Sequence, residues 1–161
     1  MEAFCKTFEF SSFDTDKGEL EKVYKSWGLN FFARKGIMAA STPLFRIKQS
    51  SKDATQYFII SRSARSGLTS FRNCDGPMKL DEECTISRRD GNQFKATLKL
   101  TGDNILEQTM VHEKNEIPTM VITRELIEDG KLKLTETCEG NSAARIYAPA
   151  DQVESKEDEE L

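Results

Sequence analysis

Residues 118–148 read PTMVITRELIEDGKLKLTETCEGNSAARIYA, three short strand-like runs broken at Asp129-Gly130 and again at Glu139-Gly140-Asn141. Successive side chains of a strand point to opposite faces, so Met120, Ile122, Arg124 and Leu126 share one face, while Thr119, Val121, Thr123 and Glu125 take the other. An arginine therefore stands in an apolar row. The same parity groups Ala143, Arg145 and Tyr147 in the last run, opposite Ala144, Ile146 and Ala148. Two guanidiniums and a phenol can converge inside a barrel.

Upstream, the chain from Pro43 is a ladder of similar runs: 44–49, 55–61, 67–73, 79–87, 93–100 and 105–112. Turn signals at Ser51-Lys52-Asp53, Asp75-Gly76-Pro77, Asp90-Gly91-Asn92, Thr101-Gly102-Asp103-Asn104 and Glu113-Lys114-Asn115-Glu116 separate them, which predicts an antiparallel meander closing into a barrel. The clearest strand sets Phe94, Ala96, Leu98 and Leu100 against Lys95, Thr97 and Lys99. Nearer the start, Phe4, Phe8 and Phe10 open a first strand, followed by a turn over 11–18. The period then changes: Leu20, Val23, Tyr24 and Trp27 fall at helical spacing and Gly28 stops the run. A second amphipathic segment, 30–40, carries Phe31, Phe32, Ile37 and Met38 beside Arg34 and Lys35. This helix-turn-helix pair is short and not notably basic, so it does not read as a DNA reader.

Thr123-Arg124-Glu125-Leu126-Ile127, Asp129-Gly130-Lys131-Leu132 and Arg145-Ile146-Tyr147, with Lys25-Ser26-Trp27-Gly28-Leu29-Asn30 and Ala33-Arg34-Lys35-Gly36, resemble the intracellular lipid-binding proteins, which include the fatty-acid-binding and cellular retinoic-acid-binding proteins. The resemblance spans residues 3–149 and implies a mainly β fold: a ten-stranded up-and-down antiparallel barrel of the lipocalin-like, calycin type, capped by two helices over a ligand cavity. It also implies that Arg124, Arg145 and Tyr147 hold a ligand carboxylate. Leu20, Tyr24, Trp27, Phe31, Phe32, Met38, Met120, Ile122, Leu132 and Leu134 are expected to line the cavity or lid. Trp27 and the phenylalanines can equally serve only to pack the helices on the sheet. The chain departs from the family pattern at Lys6, where a glycine is usual, in its longer first turn, and over 61–92, where an ungapped reading puts Ala64 at a portal position usually held by phenylalanine.

A guanidinium cannot enter a dry cavity uncompensated, because desolvating a charge costs several kcal/mol even after relaxation. A planar fork suits a carboxylate, and Tyr147 adds a hydroxyl donor. Each charge-assisted bond is worth roughly 1.5–3 kcal/mol, and each buried methylene about 0.8 kcal/mol. An acyl tail would supply most of the affinity and the arginines would choose the head group. The competing reading pairs Arg124 with Glu136, whose parity with Leu132 and Leu134 points it inward, and Arg145 with another acid. An inward Glu136 could also repel a fatty acid or compete for an arginine.

The formal charge of −4 divides unevenly: residues 151–161 hold six acids and one lysine, leaving the remainder close to neutral. The body shows no basic patch for nucleic acid. Two parts are expected, a lipid-binding barrel over 1–149 and an acidic, disordered tail over 150–161. Cys5, Cys74, Cys84 and Cys138 are scattered without a Cys-x-x-Cys pair, so neither a metal site nor a cofactor is expected. The start has no basic-then-apolar leader, and no apolar run nears the roughly 20 residues of a membrane span. His112, the only histidine, is expected to face solvent, and no hydrolase or phosphate-loop motif appears. The sequence thus reads as a monomeric cytoplasmic carrier of a long-chain fatty acid, not an enzyme; the resemblance also implies transient membrane contact through the lid, where Lys22, Lys25, Arg34 and Lys35 can meet anionic lipid or equally form a solvated helix face. A retinoic-acid carrier, or a member that has lost its ligand and acts as an interaction protein through the tail, are the alternatives.

Overall fold

The computed structural model describes residues 1–39, 43–63 and 71–151. The acidic tail beyond Asp151, the portal position Ala64 and most of the run expected at 67–73 lie outside these residues.

Ten strands form one antiparallel sheet: β1 (Thr7–Phe13), β2 (Pro43–Gln49), β3 (Gln56–Ser63), β4 (Phe71–Lys79), β5 (Glu83–Ser87), β6 (Gln93–Leu100), β7 (Ile105–His112), β8 (Met120–Leu126), β9 (Leu132–Cys138) and β10 (Asn141–Pro149). Each pairs with its sequence neighbour, and β1 also pairs with β10, which nearly closes the sheet. Among the described residues β4 and β5 share no ladder, and an isolated bridge ties Leu80, just past β4, to Leu98 of β6. The alternation expected for β6 is borne out at Phe94, Ala96 and Leu98, which lie fully inside, but not at Leu100, which is 38 % exposed at the strand's end. Phe8, Ile47, Leu106, Met120 and Leu132 complete the interior with them.

Two helices cover the barrel, α1 (Lys17–Ser26) and α2 (Phe31–Ala39). Asp16 caps α1 by accepting from the Gly18 N–H at 2.7 Å, and Gly28, at φ 74°, ends it in the left-handed region where glycine is least strained. Asn30 opens α2 by accepting from the Ala33 N–H. Leu20, Val23 and Tyr24 form the buried face of α1, which rests on β10 and β9. Asn141 donates to the Ser26 hydroxyl and fastens the end of that contact.

Three local expectations are corrected. Phe4 lies in a 3-10 turn (Glu2–Phe4) ahead of β1, and β1 runs on to Phe13, so the first turn is shorter than 11–18. Asp75-Gly76-Pro77 is not a turn but part of β4, where the register slips between Tyr57 and Ile59 and the surplus residues bulge out opposite Phe58. Gly76, at φ 138°, makes the bulge possible, since a Cβ there would stand 2.8 Å from the Tyr57 carbonyl oxygen. The reversal comes later, with Asp81 at φ 62°. His112 is 4 % exposed rather than solvent-facing: its ring lies 5.3 Å from that of Phe94, and its Nδ1 accepts from the Glu116 N–H.

Candidate functional site

β8, β9 and β10 bring the arginines together through register. Leu134 of β9 stands opposite Arg124 on β8 and opposite Arg145 on β10, so both guanidiniums leave the sheet at one level. One inward step along β9 is Glu136, flanked by Ile122 and Ala143. It is therefore diagonal to both arginines, within reach of long side chains on either neighbour. The outcome is asymmetric. Arg145 donates from Nη2 to Glu136 Oε2 at 2.5 Å, and Tyr24, from α1, donates its hydroxyl to the same carboxylate at 3.1 and 3.3 Å. The pairing of Arg124 with Glu136 is thus corrected to Arg145 with Glu136. Ala143 leaves the space on that side which Ile122 fills on the other.

Arg124 is 2 % exposed and finds a different companion. Its Nη2 donates to Gln108 Oε1 at 2.7 Å, and its guanidinium carbon lies 5.2 Å from the centre of the Phe45 ring. Its Nε and Nη1, and Gln108 Nε2, have no hydrogen-bond partner among the described residues, and Arg145 Nε has none either. Tyr147 is buried beside Arg145: its ring lies 5.9 Å from the Arg145 guanidinium carbon and 6.1 Å from the Phe45 ring that Arg124 also faces. Met120, Leu132 and Leu134 are buried and Ile122 packs against them, giving the charged cluster an apolar floor.

No family model matches the chain. Cellular retinoic acid-binding protein 2 of the rat is 33% identical over 130 residues, covering 79% of this chain and 86% of that protein, and its human counterpart is 33% identical over the same length. The chain belongs to the intracellular lipid-binding protein family. Its barrel superposes on a Schistosoma mansoni fatty acid binding protein in complex with arachidonic acid with a TM-score of 0.71 at 23% identity, over 94% of this chain and 98% of that one. A REP1-NXSQ fatty acid transporter matches with a TM-score of 0.72 at 21% identity, over 95% and 100% of the two chains. The ten-stranded, two-helix barrel expected from the sequence is the calycin-type fold of these fatty-acid- and retinoid-binding proteins.

Within this lipid-binding barrel the electrostatics separate the two arginines. Burial pulls the Arg124 guanidinium down to about 10, against the attraction of Asp75 and Glu136, and leaves it charged at neutral pH. Burial also opposes the charge on Arg145, but Glu136, Tyr24 and Tyr147 overrule it and hold that guanidinium above its ordinary value. The Tyr24 and Tyr147 phenols are both pushed up by burial, against the pull of Arg145. Both therefore stay protonated and able to donate.

Gln108 was not among the residues singled out from the sequence, although its signal was there. Leu106, Gln108, Met110 and His112 alternate along β7, all buried, so a glutamine stands in an inward row as Arg124 does. The lid residues divide. Leu20 and Tyr24 are buried and Trp27 packs on Phe94 at 5.5 Å, whereas Phe31 and Phe32 point outward, 55 % and 84 % exposed. Met38 packs partly against the core. Trp27 is further held by Arg88, which lies 4.4 Å over its ring, donates to its carbonyl and pairs with Asp90.

Proposed function

We propose that this family member carries a long-chain fatty acid non-covalently inside the barrel, its carboxylate received at the cluster of Arg124, Arg145 and Tyr147. The observation that carries this reading is Arg124: a fully buried cation with two donor nitrogens unmet among the described residues. Each unmet buried donor costs about 1–3 kcal/mol, so the site has a standing demand for an acceptor. A carboxylate offers acceptors alone, about four lone-pair positions, and a negative charge. An acyl chain of fourteen to eighteen carbons, at about 0.8 kcal/mol per buried methylene, would supply most of the affinity. Nothing in the cluster pairs a nucleophile with a base, and the reading is a carrier rather than an enzyme.

A retinoic-acid carrier is the second reading, favoured by the 33% identity to cellular retinoic acid-binding protein 2. The head-group chemistry is shared and the tail differs, so the two part at the rigid, bulky polyene. Delivery to membranes through the lid accords with the exposed Phe31 and Phe32 beside Lys35, whose ammonium stands 5.4 Å from the Phe31 ring. Arg34 does not serve there: it is tucked inward, donating to the Leu29 carbonyl. We place the protein in the cytoplasm as a monomer, with residues 1–149 as the carrier and the acidic tail separate from it. No described helix is long and apolar enough to cross a membrane.

Native mass spectrometry of the protein purified without delipidation, followed by solvent extraction, tests the reading. A one-to-one fatty acid supports it and a retinoid promotes the second reading. An empty protein that also refuses oleate and all-trans-retinoate overturns both.

A further inference from the structure

The three charged groups of the cluster are not equivalent, and the difference concerns what a ligand meets. Arg145 is answered from within: its Nη2 rests on Glu136, whose carboxylate also accepts from Tyr24. The buried Nε of Arg145 has no hydrogen-bond partner among the described residues. Among the described residues Arg124 contacts a neutral amide oxygen and a ring face, and the acids that attract it, Asp75 and Glu136, make no hydrogen bond to it.

The orientation of Gln108 follows from its neighbour. A guanidinium has donors only, so the amide must turn its oxygen toward Arg124, and its Nε2 then points elsewhere with two N–H groups. Those groups are buried and unmet among the described residues. Three nitrogens on two side chains, Arg124 Nε, Arg124 Nη1 and Gln108 Nε2, therefore offer donors around one cation.

We infer that Glu136 sets the ligand selectivity of the cluster: it neutralises Arg145 from inside the protein, so that one ligand carboxylate is received by Arg124 and Gln108. This rests on the carrier reading above and revises its receiving groups from Arg124, Arg145 and Tyr147 to Arg124 and Gln108. Arg145 and Glu136 pair with each other, which leaves Arg124 with no acid at hydrogen-bond distance among the described residues, a place that a single ligand carboxylate can take. Asp75 adds attraction to Arg124 from β4. A neutral head group such as an alcohol leaves the positive charge buried, and a dicarboxylate overshoots it. Tyr147 is a wall of the site, beside Arg145 and against the Phe45 ring that Arg124 also faces.

Charge-balance rescue tests the assignment, with oleate and all-trans-retinoate as probes and oleyl alcohol as the uncharged control. Arg145→Gln strips Glu136 of its partner and exposes a buried anion, so oleate binding falls by roughly tenfold or more. Adding Glu136→Gln removes that anion and restores oleate binding, while affinity for oleyl alcohol stays the same throughout. If the double variant stays as weak as Arg145→Gln, the ligand needs Arg145 directly and the assignment is overturned. Circular dichroism confirms that each variant is folded at the assay temperature. Should the double variant not fold, Gln108→Leu decides: loss of one charge-assisted bond weakens oleate about tenfold, and unchanged affinity overturns the role of Gln108. If the wild-type protein binds neither probe, the carrier reading itself falls and takes this assignment with it. A wild type that binds oleate without rescue removes the assignment alone.

Discussion

The Tyr24 hydroxyl donates to the Glu136 carboxylate across 112 residues of sequence, fastening the lid helix α1 to the charged cluster inside the barrel. Both oxygens are reached, at 3.3 and 3.1 Å, longer than a strong hydroxyl-to-carboxylate bond. Tyr24→Phe removes the hydroxyl and keeps the ring, so it should cost about 1.5–2 kcal/mol, the lower part of the range for bonds to a charged group. Urea denaturation checks this. Stopped-flow release of a fluorescent fatty acid should also quicken, because the lid loses its tie to the head-group site. An unchanged release rate would show that the lid opens without breaking this bond.

Arg124 and Gln108 form a polar pair built at the expense of stability. Replacing a buried polar or charged cluster with apolar residues of similar volume is often neutral or stabilising, by about 1–4 kcal/mol. Arg124→Met with Gln108→Leu should therefore leave the ligand-free protein as stable as wild type or more so, by up to that amount, while oleate affinity falls at least tenfold. The measurement is urea denaturation of the delipidated proteins beside an oleate titration. A large loss of stability would make the pair structural rather than functional.

The barrel was legible because its determinants are local. Parity in β6 and β8 and the glycine after α1 need only neighbours a few residues away, and the bounds of β6 and β7 came out as read. The partner of Glu136 was not legible. Its two arginine neighbours are related to it by the same diagonal step, and the choice depends on the difference in bulk between Ala143 and Ile122 and on Tyr24 arriving from a distant helix. Asp75-Gly76-Pro77 has turn chemistry, yet the ladder to β3 continues around it as a bulge, so pairing with β3 overrode the local signal. His112 looked exposed because only the folded sheet sets Phe94 against it.

Acid should act on the turn beneath Trp27. Three contacts from Arg88 hold the Asp90 carboxyl at about 2, below the ordinary value near 3.9 of an unfolded chain. A group depressed on folding stabilises fully above its unfolded value, and that contribution is lost as pH falls through the folded one. The stability difference between wild type and Asp90→Asn should accordingly be constant above about pH 4 and shrink toward zero by about pH 2. Trp27, the single tryptophan, lies against Arg88, so its emission during urea unfolding at each pH reports the change directly. A difference that did not vary with pH would remove Asp90 from the acid response.

Phe32 stands 84 % exposed on α2, with the Phe31 ring 5.8 Å away and Lys35 over Phe31. An aromatic pair held in water beside a lysine gains by entering the boundary between head groups and acyl chains, where the rings are buried and the cation meets anionic lipid. If the lid docks in this way, Phe32→Ala should slow transfer of a fluorescent fatty acid to vesicles containing phosphatidylserine and leave equilibrium affinity in solution unchanged. Because the side chain touches little of the protein, stability should also stay within about 0.5 kcal/mol of wild type. Transfer that depends on vesicle concentration in the wild type and loses that dependence in Phe32→Ala would identify collision through α2 as the route. Equal rates at every vesicle concentration for both proteins would instead mean that ligand leaves through water, with the exposed rings playing no part.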